Sequence, residues 1–412
     1  MLTENSYNVS IKGEVVYKMK IYLVGGAVRD RIMGIVPNDR DYVVVGATIE
    51  DMLLNGFRPV GKSFPVFIHK DSKDEYALAR KEVKLGPKHT DFGFIFDPSI
   101  TLEEDLIRRD FTCNALASDP EDGTIIDYHG GIKDIHNKVL RHVSSHFVED
   151  PLRIIRLCRF AAQLDFSVAE ETMVLARDMV LQNQLDYLSP ERIWAEIKKA
   201  LRYPSFYKFL EVAHECFALK KILAAVENLW FVKEGSREKS LAEHVIECLK
   251  NVSKDNEMVK FATLLHNVGE TDFLGISHLQ EGAEQQGVKI IKDICRTLKI
   301  PNDFQSFAVF VCRNYKKFEQ IGRMNLEQLL DLTDDYIKRT PADFENFLAI
   351  CRATVSVSDF ENSEQKIRDI YGILSHIRAD QMPNFSFLKK DASFKDEYRK
   401  FKLGILKERG FN

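Results

Sequence analysis

The sequence predicts an α+β fold, a small mixed head of strands and helices followed by an elongated helical body, and three observations predict it. Short β-like runs are confined to the stretch from Met19 to about Leu140. From Glu149 onward β signals nearly vanish and apolar residues recur at helical spacing, as in Leu152, Ile155, Phe160 and Leu164. Ser189-Pro190-Glu191 then starts a helix well, with a hydroxyl cap, a proline at the first position and an acid in the first turn. Strands gathered at one end and helices at the other describe an α+β architecture and not an alternating one.

Taken in order, strands are expected at Lys20–Val24, Asp41–Val45, Val66–His69 and residues 124–127, with helical stretches between them. The Gly/Pro/Lys-rich segment at residues 85–98 is expected to be a mobile loop, and linkers are expected near residues 233–240 and 378–384. There is no internal repeat and no low-complexity tract.

At 412 residues the chain is long enough for two to four compact units. Its longest apolar runs, such as Tyr42 to Val45, are far too short to cross a bilayer, so no membrane role is expected. The polar, mixed N-terminus lacks a secretory pattern, which predicts a cytoplasmic address. Seven scattered cysteines without a CxxC read as small buried apolar residues in a reducing compartment, not as a disulfide or zinc framework. A formal net charge of −4 argues against an indiscriminate nucleic-acid binder and leaves RNA open as a substrate, because phosphate recognition needs a local basic surface only.

The chemistry concentrates in linked motifs. In Val24-Gly25-Gly26-Ala27-Val28-Arg29-Asp30 a strand ends in two glycines, through which backbone amides can approach a bulky anion. Arg29, about one turn into the following helix, adds a fixed cation for a triphosphate. A plain tight turn gives the same Gly-Gly pattern. Nine residues after Asp30 comes Asp39-Arg40-Asp41. Residues two apart on a strand share a face, so the Asp39 and Asp41 carboxylates can converge as hard oxygen ligands for magnesium. In isolation, an acidic turn before a strand would look alike. The glycine turn close upstream sets an anion cradle beside a metal site.

Those two segments, Met19 to Asp30 and Asp39 to Gly46, resemble the opening of bacterial class II CCA-adding tRNA nucleotidyltransferases, whose head belongs to the polymerase-beta-like nucleotidyltransferase superfamily. Matching blocks follow in order: Glu75 to Arg80, Asp105 to Leu116, Glu149 to Phe160 and Leu188 to Ile193, so that the resemblance runs from Met19 to about residue 300. It implies a nucleotidyltransferase head with an antiparallel-type sheet at 19–140, a helical neck binding nucleotide and RNA at 141–232, an HD-like helical domain at 233–340 and a helical tail at 341–412. Residues 1–18 have no counterpart in the family pattern, as either a disordered extension or a stretch ahead of a natural start at Met19. The implied activity is addition or repair of the 3′-terminal CCA of tRNA from CTP and ATP, with Mg2+ and release of pyrophosphate. Whether the enzyme is a monomer or a homodimer stays open.

By the same resemblance Arg109 contacts the incoming nucleotide, while a pair with Asp105 at i+4 is the plainer reading of that arginine. Glu75 is a weaker candidate for a third carboxylate than for an exposed strand-end acid. Asp150, Arg153, Arg156 and Arg159 are spaced three apart, so neighbours are close on a helix while the row spirals. Asp150 and Arg153 can thus face a base while Arg156 and Arg159 turn toward phosphates. A carboxylate accepts from an exocyclic amino group and a guanidinium donates to a ring nitrogen, an edge that cytosine and adenine share. Uracil and guanine would leave buried groups unpaired and be rejected. A surface row of ion pairs is the bland alternative.

Longer members of the resembled family carry an HD phosphohydrolase domain. Here His244 and His266 fall where two of its ligands would be, but the doublet is His266-Asn267, the segment Val311 to Tyr315 lacks a histidine, and His278 is a remnant at most. A neutral Asn is a weak ligand where a bridging carboxylate is needed, so an HD-like fold with little or no hydrolase activity is expected. Three rivals remain: a bacterial poly(A) polymerase or partial (CC- or A-) adding enzyme, an RNA-binding protein with an inactive head, and an HD hydrolase.

Overall fold

The computed structural model describes residues 18–60, 66–69, 74–84, 92–233, 239–252, 256–273, 282–355, 357–383, 385 and 392–411. The expectations for residues 1–17 and for His278 lie outside them. The chain packs as two compact units, one of residues 1–189 with 208–218 and one of residues 190–207 with 219–412.

The first unit is built on a sheet of β1 (Lys20–Val24), β2 (Asp41–Val45), β3 (Phe57–Val60), β4 (Val66–His69) and β5 (Glu75–Leu78), with β6 (Arg80–Lys84) paired to β7 (Phe92–Phe96) alongside. Two short strands, β8 (Ala117–Ser118) and β9 (Ile125–Ile126), complete the main sheet in the order β3-β4-β5-β2-β1-β8-β9. Neighbours are antiparallel except β2 and β5, which run parallel with Asp41 in register with Glu75. The sheet is therefore mixed, not purely antiparallel. Part of the expected loop at residues 85–98 is strand β7: in Phe92-Gly93-Phe94-Ile95-Phe96 aromatics alternate at period two, which suits pairing with β6.

Alternation also divides the core. Val43 packs with Tyr22, Val24 and Leu106 on one face, while Val44 packs with Met52, Phe57 and Phe67 on the other. The helices of this unit are α1 (Gly26–Ile32), α2 (Ile49–Leu54), α3 (Leu102–Leu106), α4 (Gly131–Asn137), α5 (Leu152–Leu164) and α6 (Glu170–Leu181). Thr48 with Asp51, and Thr101 with Glu104, form capping boxes that start α2 and α3 on either face of the sheet.

The second unit is helical among its described residues, apart from one isolated β-bridge between Lys233 and Ser240. Its helices run from α7 (Pro190–Ala200), which begins at the expected proline, through α8 (Phe206–Glu215) and α9 (Ala218–Ile222), both of which have residues in each unit. There follow α10 (Ala224–Glu227), α11 (Leu241–Asn251), α12 (Glu257–Leu265), α13 (Ala283–Thr297), α14 (Asn302–Glu319), α15 (Leu326–Ile337), α16 (Pro341–Thr354), α17 (Val357–Leu374) and α18 (Ala392–Glu408). Edge-on aromatic packing joins three of them: Trp194 of α7 lies 5.6 Å from Phe261 of α12 and 5.2 Å from Phe304 of α14. No described helix is long and apolar enough to cross a membrane.

Candidate active site

The turn between β1 and α1 needs glycine for two reasons. Gly25 has φ +72°, the left-handed region that side chains avoid, and a Cβ there would stand 2.9 Å from Arg109 Nη1. The arginine thus lies against bare backbone at the mouth of the sheet. Arg109 is held by Asp105 at 3.5 Å, and Asp105 also receives Arg108 Nη2 at 2.9 Å. The i+4 pair expected from sequence is present, but its carboxylate is buried beneath the cleft and not at the surface, with Asp105 only 1% exposed. Burial is offset by Arg108 and Arg109, whose charges hold the Asp105 carboxyl below the ordinary range.

Asp41 opens β2 and Asp39 lies two residues ahead of the strand, both exposed. Period two puts Asp41 on the face of Val43, toward α3 and Arg109. Although the residue as a whole is exposed, protein crowds its carboxyl. That crowding raises its pKa, Arg109 pulls it back down, and Asp39 raises it further. Asp39 is thus near enough to act on Asp41, whose repulsion and desolvation are what a bound cation relieves. The donor set, two exposed carboxylates with Glu75 in register beside Asp41, fits a hard divalent ion that keeps solvent and substrate in its shell. A cleft of about 250 Å³ opens here, lined by Asp41, Glu75, Arg80, Arg108, Arg109 and the stacked rings of Tyr42 and Tyr76 at 4.7 Å. In its wall Arg109 Nε is buried without a hydrogen-bond partner, a donor suited to an anion.

A charged network ties this cradle to α5. Arg29 is 3% exposed, pairs with Asp30 at 2.7 Å and donates from Nη1 to Asn114 Oδ1 at 2.6 Å. Asn114 Nδ2 donates to Asp110 Oδ1 at 3.1 Å, and Asp110 Oδ2 accepts from Arg156 Nε at 2.8 Å and Nη2 at 2.5 Å. Fully buried, Asp110 stays ionised: Arg156 and the Asn114 amide hold its pKa below the usual value against desolvation. The Phe160 ring gathers the guanidiniums of Arg29, Arg156 and Arg159 at 5.6, 5.3 and 3.8 Å.

The rest of the row on α5 is likewise fixed. Asp150 Oδ1 accepts from Leu152 N at 3.0 Å and so helps start the helix. Arg153, 8% exposed, donates to the carbonyls of His146 at 2.6 Å and Arg108 at 2.5 Å, and Arg159 donates to Gln163 at 2.6 Å. The structure brings together Arg29, Arg156 and Arg159 around Phe160, with Gly26 beside Arg29, and Arg109 with Asp41 and Asp39. The row is not a surface ladder of ion pairs, since Arg153 and Arg159 are both buried. Sequence reasoning missed Asp110, Asn114 and Phe160; their signal lay in the spacing of Arg109-Asp110…Asn114 in one turn, with a lone aromatic ahead of an alanine pair.

In the second unit His266 closes α12, and its Nε2 lies 3.4 Å from Nε2 of His244 on α11. Burial and His244 push the His266 pKa down to about 3, so its ring is neutral. Asn267 Oδ1 is buried without a partner, and the Tyr315 ring stands edge-on to His266 at 4.8 Å.

A glycine turn before a helix, two acids at the start of the adjoining strand and a basic helix tied through Asp110 and Asn114 to Arg29 define a nucleotidyltransferase. Residues 21–141 match the model of the Poly A polymerase head domain, and residues 165–229 match that of the probable RNA and SrmB-binding site of polymerase A. Over 343 residues the chain is 42% identical to the multifunctional CCA protein of Methylobacillus flagellatus, covering 81% of this chain and 83% of that one. The multifunctional CCA protein of Vibrio campbellii is 42% identical over 349 residues, 81% of this chain and 85% of that one. This chain belongs to the multifunctional CCA protein family of tRNA nucleotidyltransferases. Its fold is shared with the CCA-adding enzyme of Bacillus stearothermophilus, solved with CTP (TM-score 0.66, 22% identity, 95% of this chain and 89% of that one). It is shared too with the Thermotoga maritima CCA-adding enzyme complexed with tRNA (TM-score 0.62, 19% identity, 94% and 87%).

Proposed function

We propose that this enzyme builds or repairs the 3′-terminal CCA of tRNA from CTP and ATP, in the cytoplasm and without a nucleic-acid template. The observation that carries the reading is the continuous path Arg29–Asn114–Asp110–Arg156, which fixes α5 beside the glycine cradle. A nucleotide whose phosphates lie at Gly26 and Arg29 then has its base within reach of the start of α5. Arg109, with its unpartnered Nε, takes the incoming nucleotide; Arg156 and Arg159 supply positive potential along the phosphates. Asp150 and Arg153 read the amino-plus-acceptor edge that C and A share.

The family is metal-dependent, and Asp39 and Asp41 are the residues that would hold the ion, Mg2+ by their hard oxygen donors. When bound, magnesium lowers the charge barrier to attack of the tRNA 3′-hydroxyl on the α-phosphate and to departure of pyrophosphate. Buried Asp105 keeps Arg109 oriented over the same point, and Asp110 fixes Arg156 beside the Phe160 ring. By domain, we assign the head to 19–140, nucleotide and RNA binding to 141–232, an HD-like region without hydrolase activity to 233–340 and the tail to 341–412. Incubation with tRNA truncated before CCA, using CTP and ATP singly and together, tests the reading. Three additions followed by arrest are expected; unlimited A addition would assign a poly(A) polymerase instead.

A further inference from the structure

We propose that His244, Cys248 and His266 form a resident, structural zinc site that joins α11 to the end of α12. His244 and Cys248 stand four apart on one face of α11, whose first turn is fixed by the Ser240–Glu243 capping box. His266 comes to the same point from the C-cap of α12. One donor atom of each lies within 4.8 Å of the other two. The His244 Nε2–His266 Nε2 and His244 Nε2–Cys248 Sγ separations are both 3.4 Å.

These separations suit a tetrahedral ion. Zinc bonds of about 2.0–2.1 Å to nitrogen and about 2.3 Å to sulfur set tetrahedral edges of roughly 3.3–3.4 Å between nitrogens and roughly 3.5–3.6 Å between nitrogen and sulfur. The tautomer suits it as well. His266 Nδ1 lies 2.6 Å from the Thr263 carbonyl oxygen, which only accepts, so the proton is on Nδ1 and the Nε2 lone pair faces His244. A single proton on His244 Nε2 can serve Cys248 Sγ or His266 Nε2 but not both; a cation serves both. Two imidazoles and a thiolate select a borderline-soft metal over magnesium.

The same surroundings argue for a structural role. Where hydrolysis needs an anionic bridge there is neutral Asn267, and the cavity beside His266, bounded by Tyr315, holds about 10 Å³, the space of about one water. Among the described residues that space is too small for a phosphate ester.

The test uses the full-length protein, stripped with chelator and reloaded with Zn2+ or Co2+. We expect a single equivalent of zinc retained per chain, a higher unfolding midpoint than the stripped form, and for cobalt an intense visible spectrum with a thiolate charge-transfer band. Cys248→Ser should abolish that band and weaken zinc at least on the order of a hundredfold; His244→Gln, read alongside, guards against misfolding of the first variant. Wild-type protein that retains no zinc, or a cobalt spectrum without thiolate character, overturns the proposal. Metal-dependent phosphate release from 2′,3′-cyclic nucleotides that survives Cys248→Ser overturns it too, by making the centre a hydrolase.

Discussion

The two units handle polar groups in opposite ways. In the head, the acids of Asp39 and Asp41 lie open at the end of a sheet, and the buried acids near them are matched by arginine: Asp105 by Arg108 and Arg109, Asp110 by Arg156. In the helical unit, the polar cluster of His244, Cys248 and His266 sits among core helices, carries no carboxylate, and is flanked by the unpartnered oxygen of Asn267. On the proposed reading, the open, anionic pair would exchange its ion with each substrate. The more buried cluster, which has no carboxylate among its three donors, would keep the ion proposed for it. The lesson is that metal chemistry depends less on the number of donors than on whether charge and solvent reach them together.

The largest effect expected is at the open pair. Asp39→Ala or Asp41→Ala should lower CCA addition on the order of a thousandfold or more, because charge on the transferring phosphate loses its counter-ion. Both residues are exposed, so the thermal midpoint should stay within the scatter of surface substitutions. Addition at near wild-type rates would break the comparison at its first term. Next is the matched charge beneath. Asp110→Asn should cost about 2 to 3 kcal/mol at neutral pH, toward the low side for a buried pair because Arg156 is 32% exposed and can recover some hydration. The sign with pH follows from the lowered pKa of Asp110. Its contribution is complete above the ordinary carboxylate range and is lost as pH falls through the native-state value, so the variant should show a flatter acid limb in denaturant titrations. An unchanged limb would mean that the buried carboxylate is not ionised.

How much of this was legible beforehand varies with the physics. Strands β1, β2 and β4 were readable because β-branched and aromatic runs sit between turn residues, and α7 because Ser189-Pro190-Glu191 fixes its start. Strand β3 was not, since Pro59 argues against a strand except at an edge, where it indeed lies. The acids and the glycine turn were visible as local motifs. The link from Arg29 through Asn114 and Asp110 to Arg156 was not, because its members are brought together from separations of 85 and 46 residues by folding alone. His244 and Cys248 gave a helical spacing, but only the packing of α11 against α12 adds His266.

A smaller effect sharpens what the basic helix does. If Asp150 and Arg153 read the base, Asp150→Ala should raise misincorporation of UTP and GTP by roughly tenfold or more, with little change in overall fold because the lost cap bond to Leu152 is local. Single-turnover assays with each nucleotide check this. A variant that still rejects UTP and GTP as the parent does would leave Asp150 as a helix start and nothing more.

The smallest effect is also the most specific to the geometry. Phe160 is 5% exposed and has three guanidiniums around it, from α1 and from its own helix. Phe160→Leu keeps an apolar core residue of similar size but removes the negative ring face on which Arg159 rests and near which Arg29 and Arg156 are held. The cation–π contribution lost is about 1 kcal/mol, so KM for CTP and ATP should rise roughly fivefold while kcat changes little, because Asp39 and Asp41 are untouched. Phe160→Tyr retains the face and should retain the KM. If leucine and tyrosine behave alike, the ring serves only as packing, and the arginines are placed by Asn114, Asp110 and Gln163 alone.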